Sequence, residues 1–278
     1  MRRCYSFCDY ATVVKFANSI RYYILVRAIY NDSPNSIHKL TVLAAEHLND
    51  KVSKFKALIC ALNVLSRKRE LTKATELFML LKTNEKHFLA NIEIKLVFRY
   101  NHAQAIYFYM NNDYTKALDF YKTNESLFDQ LQNVEKNGEI NSCLMWTAKC
   151  YKHMNDFINA RKYYTMAYNN AIEYGLTRSY ISSSLRLIEV DILEHTDLND
   201  PVSILNKLND IEHHVISFNE NKFLAFWNFL YARALYIINN NTYSDDVKSF
   251  VNKAYDLYTT MGFLKKQTAI KQWLSSIK

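Results

Sequence analysis

The sequence predicts an all-α protein, a right-handed α-solenoid of about 12–13 helices in antiparallel pairs. Three observations carry this. Only 3 of 278 residues are glycine and 2 are proline. That is too few for the tight turns of a β-sandwich or barrel. The same scarcity argues against a glycine-rich phosphate loop. Next, 49% of residues are apolar and 14% aromatic, enough to fill a core and inconsistent with a disordered chain. Finally, apolar residues recur at helical spacing in blocks of roughly 12–22 residues, separated by short polar turns.

The first block predicts a helix over 10–30, with Val13, Val14, Phe16, Ala17, Ile20, Tyr23 and Ile24 on adjoining faces. Asp32-Ser33-Pro34 stops it, with Ser33 as N-cap and Pro34 opening the next helix. That helix covers 35–48, and others follow at 51–67, 71–82, 86–111, 114–131 and 139–153. Six more are expected at 156–174, 177–195, 201–218, 221–239, 244–260 and 264–277. Gly175 and Gly262 stand where a left-handed residue would end a helix. Gly138 falls in a polar link over 135–138, and Asp200-Pro201 reads as an N-cap and first-turn proline. No long linker interrupts the pattern, so residues 1–278 read as one continuous array.

The formal net charge is +8, unevenly spread. Residues 1–100 hold 17 basic and 8 acidic side chains, whereas residues 101–200 hold 9 and 13. A basic N-terminal third can serve nucleic acid, an acidic protein surface or merely solvent. The five cysteines are an odd number, which argues against a secreted disulfide framework. Cys143 and Cys150 share a helix face and read as small apolar residues. Cys4 and Cys8 lack the second pair a zinc site needs, so no metal and no cofactor is expected. There is no run of 18 uncharged apolar residues and no apolar stretch before Asp9, so a cytoplasmic, non-membrane address is expected.

Two segments repeat one spacing. Leu144, Ala148, Tyr151, Ala160, Tyr164 and Ala167 alternate large, small and aromatic positions across a helix pair, with Asn155-Asp156-Phe157 at the turn. Ala105, Phe108, Asn112-Asp113-Tyr114, Ala117 and Tyr121 keep the same offsets, although Asn101 and Asn124 replace the large and small residues. Small residues let two helices approach closely, and the aromatics fill the space beside them. Weaker copies lie at Leu58, Leu62, Leu65, Ala74, Phe78 and Leu81, and at Ala232, Leu235, Ala254 and Tyr258. Leu62 in place of a small residue predicts a splayed pair.

This spacing resembles the tetratricopeptide repeat family, clearly over 100–174 (best at 100–124 and 141–174) and in architecture elsewhere, with divergent pairs over 10–83 and capping helices over 221–277. The irregular helix lengths resemble the intracellular peptide receptors of Gram-positive bacteria and their phages, the Rap, PlcR, Rgg and arbitrium-receptor group. The resemblance implies a short signalling peptide on the concave face, quorum sensing and transcription regulation. Residues 10–48 lack the pattern of the helix-turn-helix that many of that group carry.

In such an array the first helices of the pairs line the inner face. Residues there not used for packing are Asn63, Arg99, His102, Ile106, Tyr109, Met145, Lys149, Lys152, Arg233 and Tyr236. Asn and Arg can bond a peptide backbone, Lys can pair with a carboxylate, and Tyr and Met can pack its side chains. Phe223, Phe226, Trp227, Phe229 and Tyr231 form either an exposed platform or packing between the last pairs and Trp273. His213-His214 are neighbours that face apart on a helix, and no carboxylate stands at ligand spacing. Arg67-Lys68-Arg69 reads as a solvated turn.

No nucleophile elbow, Cys–His pair, paired carboxylates or glycine loop stands at a usable spacing, so no enzyme is expected. The expected function is a regulator that binds a short peptide or a partner-protein segment. A plain protein–protein scaffold and a regulator touching nucleic acid through the basic third stay open, as do a protein effector and a homodimer.

Overall fold

A computed structural model describes residues 9–27, 34–90, 92–131, 133–194 and 201–277. Cys4, Cys8, Ser33 and Asp200 lie outside the described residues. Those residues contain no strand. The helices are α1 (Tyr10–Arg27), α2 (Pro34–His47), α3 (Lys51–Lys68), α4 (Leu71–Thr83), α5 (Glu85–Leu89), α6 (Ile94–Met110) and α7 (Tyr114–Glu125). They continue with α8 (Asn133–His153), α9 (Phe157–Glu173), α10 (Thr177–Leu193), α11 (Pro201–Phe218), α12 (Asn221–Ile238), α13 (Asp245–Thr260) and α14 (Leu264–Ser276). The chain gathers into two compact units, Met1–Lys136 and Asn137–Lys278.

The turns explain how a chain with so little glycine folds back on itself. Asn49, Asn112 and Asn155 adopt left-handed backbone with φ of 53°, 63° and 59°. Asparagine tolerates that region better than other side chains do. Each is followed by aspartate, and the Asp50, Asp113 and Asp156 carboxylates accept from the backbone N–H of Ser53, Lys116 and Asn159. One dipeptide thus ends a helix and caps the next. Gly175 and Gly262 do the first half of this at φ of 63° and 68°, as the sequence predicts.

Three boundaries differ from expectation. The helix expected over 114–131 ends at Glu125, where Ser126 caps it, and a short 3-10 turn over Phe128–Gln130 follows. The helix expected over 86–111 is broken between α5 and α6, where Ala90 and Glu93 are extended. The break brings Phe88 to stack on Phe55 at 4.8 Å while Tyr100 tilts onto the same ring at 5.2 Å. Gly138 lies inside α8 and not in a link. A Cβ there would meet nothing within 4 Å, so the helix runs through an exposed glycine without needing it.

In the first unit Phe55, Leu58, Leu62, Leu65, Ala74, Leu81 and Tyr100 form one buried cluster, with Phe78 against it. In the second, Ile181, Leu185, Ile204, Leu208, Phe226 and Trp227 form one cluster. Ala225, Ala232, Val251, Ala254, Tyr258 and Ile270 form another. The repeat positions are core. Ala105, Ala117, Ala148, Ala160 and Ala167 are fully buried, as are Tyr121 and Tyr164. Cys60, Cys143 and Cys150 are buried free thiols, and burial pushes the Cys150 thiol up to about 12. The aromatic run is packing and not a platform. Phe223, Phe226 and Trp227 are buried, Trp227 Nε1 donates to the Leu208 carbonyl, and Phe229 meets Trp273 edge-on at 5.6 Å.

Candidate ligand-binding face

The first helices of the second unit's pairs are α8, α10, α12 and α14. They bring four basic side chains around one carboxylate. Glu189, on α10, accepts from Lys152 Nζ of α8 at 2.8 Å and from Arg186 Nη1 one turn back at 2.7 Å. Both bonds fall on the same oxygen, Oε2. The Lys152 and Glu189 side chains are each 12% exposed and Arg186 19%. Arg233 of α12 and Lys266 of α14 complete the group, since Glu189 acts on both.

The electrostatics follow from this crowding. Burial alone would raise the Glu189 carboxyl, but Arg186, Lys152 and Lys266 hold it well below the usual carboxylate range. Burial pulls Lys152 below its ordinary value, and Arg186 and Arg233 pull the same way against Glu189. Lys266 falls to about 8, through burial and then repulsion from Arg186 and Lys152, with Glu189 opposing. Burial and the Lys152 charge bring His153 down to about 4, so it is neutral at pH 7. Arg233 is lowered by burial, with Glu189 opposing.

The Arg233 and Lys266 side chains carry no hydrogen bond or ion pair among the described residues. Their charges rest near rings instead. Arg233 lies 5.9 Å from the Phe229 centroid, and Lys266 lies 5.3 Å from that of Phe226, whose ring Arg186 also covers at 4.3 Å. Such contacts offset part of a cation's desolvation and leave its donors available.

A second network on α10 shows what a balanced set looks like. Arg161 of α9 pairs with Asp191 and Glu194, and Lys207 of α11 pairs with Asp191 at 2.9 Å. Two cations there meet two carboxylates, and the network joins helices. Around Glu189 the cations exceed the carboxylate, and the excess is what an anion would neutralise.

The structure places the sequence-predicted residues as follows. Lys152 and Arg233 belong to the group around Glu189. Lys149 sits over Trp146 at 3.9 Å, and Tyr236 meets Trp273 edge-on at 5.7 Å. Met145 is buried. In the first unit, Asn63 is buried and its Oδ1 has no partner among the described residues. His102 packs edge-on to Tyr121 at 5.7 Å, Tyr109 to Tyr114 at 5.4 Å, and Arg99 is half-buried. Sequence reasoning missed Arg186, Glu189 and Lys266. Arg186 and Glu189 at i, i+3 on a helix with apolar neighbours were the available signal.

Other features carry less. An open recess of about 600 Å³ between α11, α12 and α13 is lined by Trp227, Tyr231, Phe250, Glu212 and Asp256, and by none of the residues expected to line the groove. His213 and His214 are exposed on α11. Among the described residues no group of three or more His, Cys, Asp or Glu could hold a metal, and no helix is long and apolar enough to cross a membrane.

No protein-family model and no curated protein sequence matches the chain. Solved structures do. A Rap protein complexed with Competence and Sporulation Factor has a TM-score of 0.68 at 14% identity, over 97% of this chain and 71% of that one. The apo form of RapI has 0.64 at 11%, over 95% and 72%. NprR in complex with its cognate peptide NprX has 0.60 at 12%, over 92% and 76%. At these identities the likeness is one of fold: the chain has the helical-repeat fold of Rap proteins and NprR.

Proposed function

We propose that this protein is a non-enzymatic regulator that binds a short signalling peptide, or a segment of a partner protein, along the first helices of its pairs. The observation that carries the reading is the group of Lys152, Arg186, Arg233 and Lys266 around a single carboxylate, on helices where a ligand face is expected. The fold supports it, since the similar NprR structure holds its cognate peptide and the similar Rap protein holds Competence and Sporulation Factor. On this reading Asn63, Arg99, His102, Tyr109, Met145, Lys149 and Tyr236 are further contacts, each within its own unit. The ligand stabilises one arrangement of the helices and thereby changes affinity for a downstream effector in the cytoplasm.

Incubation with degenerate pools of short peptides, followed by native mass spectrometry, tests this. The expected result is a 1:1 adduct with a subset of peptides and a matching rise in melting temperature. The double variant Lys149→Glu, Lys152→Glu abolishes that rise. A folded protein that forms no adduct with any pool overturns the reading.

A further inference from the structure

We infer that the recess between α11, α12 and α13 seats an arginine side chain of a partner protein. It lies apart from the group around Glu189 and is independent of the peptide reading. Leu224, Trp227, Asn228 and Tyr231 line it from α12. They recur at i, i+3, i+4 and i+7, which is one face of a helix. Arg233 stands two residues beyond Tyr231, about 200° further round, and so on the far side of α12.

Three features match the recess to a guanidinium. The first is its aromatic wall. Tyr231 stacks on Phe250 at 4.5 Å, and Trp227 tilts onto Tyr231 at 4.9 Å. A planar cation stacks on such rings and packs its apolar stem beside them. Lys253, exposed at the rim, already holds its Nζ 5.0 Å from the Phe250 centroid. The second is a pair of carboxylates. Glu212 and Asp256 line the recess from α11 and α13. Neither carries an ion pair or hydrogen bond among the described residues, so Lys253 engages neither of them. The third is Asn228, which is 4% exposed. Its Nδ2 donates to the Leu224 carbonyl of its own helix at 2.8 Å. Its Oδ1 is left as an acceptor without a donor among the described residues.

A guanidinium offers five donors in a fork and no acceptor, which answers a set of acceptors. An apolar side chain would cover those acceptors without bonding them, and an anion would meet two like charges. The volume of about 600 Å³ exceeds one side chain. Ile216, 57% exposed on the same lining, gives apolar ground to residues beside the arginine, which favours a protein segment over a free cation.

Three degenerate hexapeptide pools test this. They are identical but for one fixed position, which holds arginine, its uncharged isostere citrulline, or lysine. The other positions exclude basic residues, and both ends are blocked. Each pool is equilibrated with the full chain, and retained peptides are counted by mass spectrometry. The arginine pool is retained at least about tenfold more than the citrulline pool, with lysine between them. Glu212→Gln combined with Asp256→Asn removes the difference. Asp210→Asn, an exposed carboxylate of α11 outside the recess, leaves it unchanged. Melting curves of each variant separate loss of the seat from loss of the fold.

Equal retention of the arginine and citrulline pools overturns the inference and leaves the peptide reading standing. So does an arginine preference that survives the double variant. No retention of any of the three overturns it as well, and the peptide reading is then decided by its own pools. A lysine pool held as firmly as the arginine pool overturns the guanidinium. Sedimentation of the chain alone tests one other occupant. A dimer that the double variant disperses assigns the seat to a second copy and overturns a separate partner.

Discussion

Asn124 and Asn141 make the same bond from opposite sides of a helix pair. Asn124, on α7, donates from Nδ2 to the Phe98 carbonyl of α6 at 2.9 Å. Asn141, on α8, donates to the Ala167 carbonyl of α9 at 2.7 Å. Phe98 and Asn141 occupy equivalent repeat positions, as do Asn124 and Ala167, and both bonds span 26 residues. The asparagine that departs from the repeat pattern at 124 is therefore a clamp moved to the other helix.

Replacing Asn124 by alanine leaves the Phe98 carbonyl without this second partner and opens a small cavity. The expected loss is about 1–2 kcal/mol, read from the urea midpoint at unchanged slope. An unshifted midpoint removes the clamp from the account.

Gly138→Ala is expected to stabilise the chain by about 0.5–1 kcal/mol. The position is helical and its added Cβ meets nothing, so the gain comes from restricting the unfolded chain. Thermal unfolding checks it, and a loss would mean that α8 begins later than Asn133.

Glu189→Gln removes the counter-ion from four cations. The expected loss is about 3 kcal/mol at neutral pH, because breaking a buried pair strands the charges that remain. The Glu189 carboxyl lies below its ordinary 4.5 in the fold, so its stabilisation is complete above that pH and is lost as pH falls below it. The variant therefore loses less stability between neutral and acid pH than the parent does. Parallel melts from pH 7 to pH 3 test this, and identical slopes would sink it.

Lys266 at about 8 is half-charged near that pH, with Arg186 and Lys152 repelling it and Glu189 attracting it. A ligand carboxylate beside Lys266 favours the charged form. Binding of an acidic peptide near pH 8 therefore takes up about half a proton, and affinity falls as pH rises above 8. Calorimetry in two buffers of different ionisation heat measures the uptake. Lys266→Arg, always charged, abolishes it.

The helices were legible in the sequence because each buries a face at helical period, and the turns because Asn-Asp and Gly mark them. The break at Ala90–Glu93 was not, since apolar residues run through 86–111 without glycine or proline, and only the tertiary pull of Phe88 onto Phe55 parts them. Gly138 misled in the opposite sense, because an exposed helix tolerates one glycine. At the candidate site, Lys152 and Arg233 were legible from positions aligned with the repeat. Arg186 and Glu189 were not, because the 177–218 pair carries no repeat signature to set which face points inward. Lys266 sits in a segment read as a cap.

Lys149 rests on Trp146 at 3.9 Å, and Trp273 meets both Phe229 and Tyr236 edge-on. The protein thus carries its own optical gauge. An ammonium drawn off the Trp146 indole changes that ring's emission, and any movement of α14 changes the surroundings of Trp273. The fluorescence of the unlabelled chain follows occupancy on one side of the candidate face and rearrangement on the other.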